Sequence, residues 1–175
     1  MSDTAPQLIL LATYRRTIHA SLERIWENVL DWEHLPWLHR SSFAAIQLLE
    51  QTTDMWRAQV TLAPAEKGKA AVIEVSTDKP HLRYWSRTLA EQGTSGEIFT
   101  ALMPVDEYNT DIVVEFRVPQ IAPAKVDALA AAYLQLYARL WDEDERMMRR
   151  RQELLEQGWR GVDKQTVTPI PSLAE

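Results

Sequence analysis

Two histidines stand close together in His34-Leu35-Pro36-Trp37-Leu38-His39, and Asp31 and Asn28 precede them at steps of three. Imidazoles bind metals and move protons near neutral pH, so such a pair sets up a metal site or an acid–base site. On a regular helix the two rings would point about 140° apart around the axis. Pro36 lies between them and interrupts that regularity, which leaves convergence on one point open to them. A facial metal site built on two imidazoles still needs a carboxylate from elsewhere in the chain.

Asp144 is the candidate for that carboxylate. It falls at the apolar-face spacing of a long helical segment, in the series Tyr133, Tyr137, Leu140, Asp144, Met147 and Met148. Asp142, Glu143 and Glu145 fall on other faces, where water solvates them more easily. An inward carboxylate must be paired, protonated or metal-bound. A salt bridge to Arg40 or to an arginine of a sheet is the alternative to a metal. His19 and His81 lack acidic companions in the pattern and read as satisfied or solvated histidines. No Ser–His–Asp arrangement and no glycine-rich phosphate loop can be assembled from this chain.

The elements that must position these groups are legible from periodicity. Leu8 to Ala20 reads as a long first strand. Ser21 then caps a helix with Leu22, Ile25, Trp26, Val29 and Leu30 on one face. Pro36 stops it, and residues 31–41 read as a bend with a second short helix. Segments 44–50, 55–62, 70–77, 82–89, 96–103 and 110–118 alternate apolar and polar residues, with turn residues between them. That is the pattern of an antiparallel meander. After Pro119 and Pro123, helical spacing runs from about Ala124 to Gln157, and Gly158 is a natural stop. A helix of ~34 residues spans roughly 50 Å, enough to cross the whole sheet.

Composition sets the outer limits. The chain has 175 residues, 46% hydrophobic and 25% charged, and a net charge of −6. One folded domain over residues 1–157 with a tail over 158–175 is expected. The acidic balance argues against nucleic acid and against anionic membrane surfaces as partners. The absence of cysteine removes disulfides, thiolate nucleophiles, thiolate zinc sites and cysteine-held iron–sulfur clusters. Met1-Ser2-Asp3 carries no basic leader and Leu8–Ala12 is too short to span a bilayer, so a cytoplasmic location is expected. Seven tryptophans in so short a chain imply a large core or an apolar pocket.

Strand, two short helices, six strands and one long helix make an α+β helix-grip arrangement: a curved antiparallel sheet of about seven strands around the C-terminal helix. In this order, with Ala20-Ser21-Leu22-Glu23-Arg24-Ile25-Trp26, Asp31-Trp32 and Leu35-Pro36-Trp37, the chain resembles the START and polyketide-cyclase (SRPBCC) superfamily. The resemblance implies a cavity for a hydrophobic ligand between sheet and helix. Trp56, Tyr84, Trp85, Phe99, Phe116, Tyr133 and Tyr137 are the rings expected to line it.

Asn28-x2-Asp31-x2-His34-x4-His39-x-Ser41-Ser42-Phe43 is similar to the mononuclear-iron motif of Rieske non-haem iron oxygenase catalytic domains. Glu143-Asp144-x2-Met147-Met148-x3-Gln152 is similar to the helix segment that supplies their third ligand. The resemblance implies Fe(II) held by His34, His39 and Asp144, with Asp31 orienting a ligating histidine and Asn28 close to the metal. Those oxygenases carry a [2Fe–2S] domain, for which this chain has neither cysteines nor length. Electrons would then have to come from a separate electron-transfer protein. The expected function is binding of an aromatic or terpenoid-like molecule beside a mononuclear iron. If the protein is an enzyme, the expected class is an iron-dependent oxygenase-like oxidoreductase. The alternative is a metal-free lipid or polyketide carrier, or a cyclase-like START protein.

Overall fold

The structure, a computed structural model, describes residues 7–64, 69–90 and 93–159; the segment expected as a tail lies outside these apart from Gly158 and Trp159. Seven strands form one antiparallel sheet: β1 (Leu8–Ile18), β2 (Phe43–Gln51), β3 (Met55–Leu62), β4 (Ala70–Asp78), β5 (Arg83–Ala90), β6 (Gly93–Pro104) and β7 (Thr110–Pro119). Their order is β1-β7-β6-β5-β4-β3-β2, so the meander closes by bringing the first strand beside the last. Two short helices, α1 (Leu22–Leu30) and α2 (Leu35–Leu38), fill the link from β1 to β2, and α3 (Val126–Glu156) crosses the inner face. This is the helix-grip arrangement expected from the order of periodic segments.

Register explains where the core lies. Ala12, Phe116, Ile98, Ser86, Val75 and Trp56 are cross-strand partners in one inward row. Phe116 and Trp56 at the two flanks are buried, and Phe116 packs edge-on to Tyr137 of α3 with ring centroids 4.7 Å apart. The small Ser86 sits in the middle of this row, so the sheet cannot fill the space beneath α3. The outward positions carry a different chemistry. Arg57, Glu74, Arg87, Glu97 and Arg117 are successive cross-strand partners of alternating charge, the pairing that stabilises a solvated sheet face.

The link between α1 and β2 is held by its own backbone and caps. Ser21 Oγ accepts from the Arg24 N–H at the start of α1, and the Asp31 carboxylate accepts from the Glu33 N–H. A 3-10 turn, Trp32–His34, follows directly and leads into α2. His39 ends α2, donating its N–H to Leu35 O, while its carbonyl accepts from the N–H groups of Ser42 and Phe43. No helix among the described residues is long and apolar enough to cross a membrane.

Candidate functional site

The break between the 3-10 turn and α2 turns the two imidazoles toward each other. Their ring centroids lie 5.2 Å apart and the planes cross at 75°. Asp144 rises from the middle of α3 to meet them, with Oδ1 3.0 Å from His39 Nε2 and 3.5 Å from His34 Nε2. One nitrogen of each ring and one carboxylate oxygen thus lie within 4.8 Å of one another.

The far nitrogens of both rings are committed elsewhere. His34 Nδ1 donates to the Asp31 carbonyl, and His39 Nδ1 donates to Glu143 Oε2 at 2.6 Å. Each of these bonds places the ring proton on Nδ1 and leaves Nε2 with its lone pair toward Asp144. Asp144 is buried, and its Oδ1 has no hydrogen-bond partner among the described residues despite the nearby imidazoles. A buried carboxylate oxygen without a partner is costly, so this is the point of the fold that calls for a cation or a proton.

The two histidines feel this environment in opposite ways. Burial pushes His34 below the ordinary histidine value, more than the charges of Asp144 and Asp31 raise it. Burial also acts to lower His39, but its contacts with Asp144 and Glu143 outweigh that and hold it above the ordinary value.

The three groups form one wall of a cavity of about 130 Å³ between the sheet and α3. Asn28 lies in the same wall, buried, with its side-chain oxygen lacking a hydrogen bond. Of the seven rings expected at a ligand, Trp56, Tyr84 and Tyr137 line the cavity. Phe116 and Tyr133 do not; their tilted rings pack together with centroids 5.1 Å apart, Tyr133 partly buried against the core. Trp85 and Phe99 are a correction to the expected lining. They pair on the outer face, 5.5 Å apart, under the guanidinium groups of Arg83, Arg87 and Arg117. Strand parity is the reason, since Tyr84 and Ser86 point inward and the odd positions between arginines point out.

Other expectations are corrected too. Glu143 reaches the site, and Glu145 is buried and paired with Arg16 at 2.7 Å, so neither is a freely solvated acid. Arg40 turns to Trp37 and Arg16 to Asp142 and Glu145, so Asp144 has no arginine partner among the described residues. Asp31 meets His34 through its backbone carbonyl, with its carboxylate 3.9 Å away. His81 does have an acidic companion, Asp78, at 2.8 Å. Sequence reasoning passed over Glu143 and Ser86. Parity with Tyr84 would have found Ser86; helix spacing offers no signal for Glu143.

No family model matches this sequence, and no curated protein matches it. Solved structures do share its fold. The Zhui aromatase/cyclase from Streptomyces sp. R1128 superposes with a TM-score of 0.65 at 13% identity, over 83% of this chain and 96% of that one. A START superfamily protein from Mycobacterium smegmatis gives 0.57 at 18% identity, over 78% and 97%. A quaternary ammonium Rieske monooxygenase gives 0.59 at 14% identity, over 90% of this chain and 44% of that one. The fold is therefore the helix-grip fold found in START and aromatase/cyclase proteins and in part of a Rieske monooxygenase.

Proposed function

We propose that this protein binds an apolar small molecule in the cavity beside a mononuclear non-haem Fe(II) held by His34, His39 and Asp144, and that it serves oxygenase-type chemistry. The observation that carries the reading is the convergence of two Nε2 lone pairs on an unpartnered, buried carboxylate oxygen at the wall of that cavity. Neighbouring ligand atoms around a metal at about 2.1 Å lie about 3 Å apart, and the two carboxylate–imidazole separations, 3.0 and 3.5 Å, are near that spacing, with all three atoms within 4.8 Å. Two imidazoles and one carboxylate are the donor set that suits Fe(II) and leaves positions open.

When bound, Fe(II) supplies Lewis-acid and redox chemistry toward dioxygen, with electrons delivered by a separate electron-transfer protein. The chain's own residues do the rest. The Asp31 carbonyl and the Glu143 carboxylate fix which nitrogen of each imidazole is free. Trp56, Tyr84 and Tyr137 exclude water from the face where the ligand lies.

Metal stoichiometry after anaerobic purification from iron-supplemented cells tests the reading. One iron per chain is expected for wild type, and close to none for His39→Ala and Asp144→Ala. Wild type holding no more metal than the variants overturns it. A hydrophobic molecule copurifying without metal would identify a carrier or cyclase-like protein instead.

A further inference from the structure

We propose that the cavity selects a neutral molecule of one six-membered ring bearing a single hydroxyl-type group, which it seats against Ser86. This specificity rests on the ligand-binding half of the function proposed above. It follows from the size of the cavity, the unused Ser86 hydroxyl on the sheet side, and the sign of the charge around it.

Size comes first. The cavity holds about 130 Å³. An apolar cavity of about 150 Å³ takes benzene, whereas pockets for drug-sized ligands run to roughly 300–1,000 Å³. One ring fills this space and two fused rings exceed it. Trp56, Ile73 and Val75 from the sheet and Tyr137, Leu140 and Trp141 from α3 provide apolar contact around such a ring.

Ser86 supplies the orientation. Its position between Val75 and Ile98 makes it the small, polar member of an otherwise apolar row, and it lines the cavity. Its hydroxyl makes no hydrogen bond among the described residues, so it is free to bond a ligand group. Among the described residues no lysine or arginine lines the cavity, and the carboxylate in its wall is Asp144, with Glu143 behind His39. In the metal-free protein a ligand carboxylate would be buried there without a lysine or arginine partner and against two acids. The metal-free cavity therefore disfavours aromatic acids of the same size.

Trp56 and Trp141 in the wall make intrinsic fluorescence the readout. Phenol, toluene, 1-naphthol and benzoate are titrated into the full-length protein, both metal-free and metal-loaded. On the metal-free protein phenol is expected to bind tightest, toluene about fivefold weaker for the lost hydrogen bond, and 1-naphthol and benzoate at least tenfold weaker. Ser86→Ala should bring phenol to the level of toluene. Ser86→Leu should fill the space and remove binding of both, with metal content unchanged. On the metal-free protein, naphthol or benzoate binding as tightly as phenol overturns the proposal, as does a phenol preference that survives Ser86→Ala. Ring binding is read on metal-free protein, so a protein that takes phenol but no iron overturns the metal reading alone. Stoichiometric iron without phenol binding overturns this one alone.

Discussion

His39 and Glu143 meet at 2.6 Å between Nδ1 and Oε2, across 104 positions of sequence. The bond ties the end of α2 to the middle of α3 and sets the tautomer of the imidazole that faces Asp144. Outer partners of this kind typically carry 10–100-fold of a site's metal affinity. Glu143→Ala should therefore weaken iron binding by about that factor, measured by anaerobic competition with a chelator. Glu143→Gln keeps an acceptor oxygen and should recover most of the loss. Equal affinity in wild type and Glu143→Ala would mean that the contact does not orient the metal-facing imidazole.

The unpartnered Oδ1 of Asp144 predicts that metal stabilises the fold. A ligand present at about 100 times its dissociation constant adds about 2.7 kcal/mol to the folded state. For a domain of this size that raises Tm by about 5–10 °C. Anaerobic thermal melts with and without Fe(II) measure the shift, which Asp144→Ala should abolish. A shift that persists in the variant would place the ion elsewhere.

How far the site could be read from the sequence depended on which periodicity governed each residue. Strand parity and helical spacing placed β3, β7 and α3 to within a residue or two, because one face of each is apolar. Asp144 stood out for the same reason, as an acid on an apolar face. Glu143 did not, since it lies one position, about 100°, away on α3 and reaches His39 by the length of its side chain. Trp85 was misplaced because aromatic character alone does not choose a face. Arg83 and Arg87 on its own side cover it with cations, giving an outward ring the shelter that a core gives an inward one. The chain reversal that brings His34 to His39 arises from a 3-10 turn and its caps, which hydrophobic patterning does not encode.

Arg16 binds both Asp142, at 2.5 Å, and Glu145, at 2.7 Å, fastening β1 to α3 one residue beyond Asp144. Glu145 is buried while Arg16 is about a quarter exposed, with side-chain exposures of 9% and 24%. Removing the cation leaves a buried carboxylate alone, and Arg16→Met should cost about 3 kcal/mol in chemical denaturation. Adding Glu145→Leu should return most of that stability, because replacing both partners of a buried pair with apolar groups is close to neutral. A double variant no more stable than Arg16→Met would show that Glu145 carries no desolvation cost.

Trp56 and Trp141 face the cavity from opposite sides, each 4% exposed, yet their indoles do different things. Trp56 Nε1 donates to the Val29 carbonyl at 2.9 Å, while Trp141 makes no side-chain hydrogen bond among the described residues. Val29 lies in the last turn of α1, where carbonyls have no partner within the helix. Trp56 thus ends α1 from the sheet and fixes where the chain turns toward Asp31 and His34. Both Trp→Phe changes remove similar apolar area, so their difference isolates this bond. Trp56→Phe should be about 1–2 kcal/mol more destabilising than Trp141→Phe, the cost of a buried carbonyl left unpaired. It should also weaken iron binding, because the turn that presents His34 loses its anchor. Equal effects of the two variants on stability and on metal affinity would mean that α1 is held by packing alone and that the turn does not depend on the sheet.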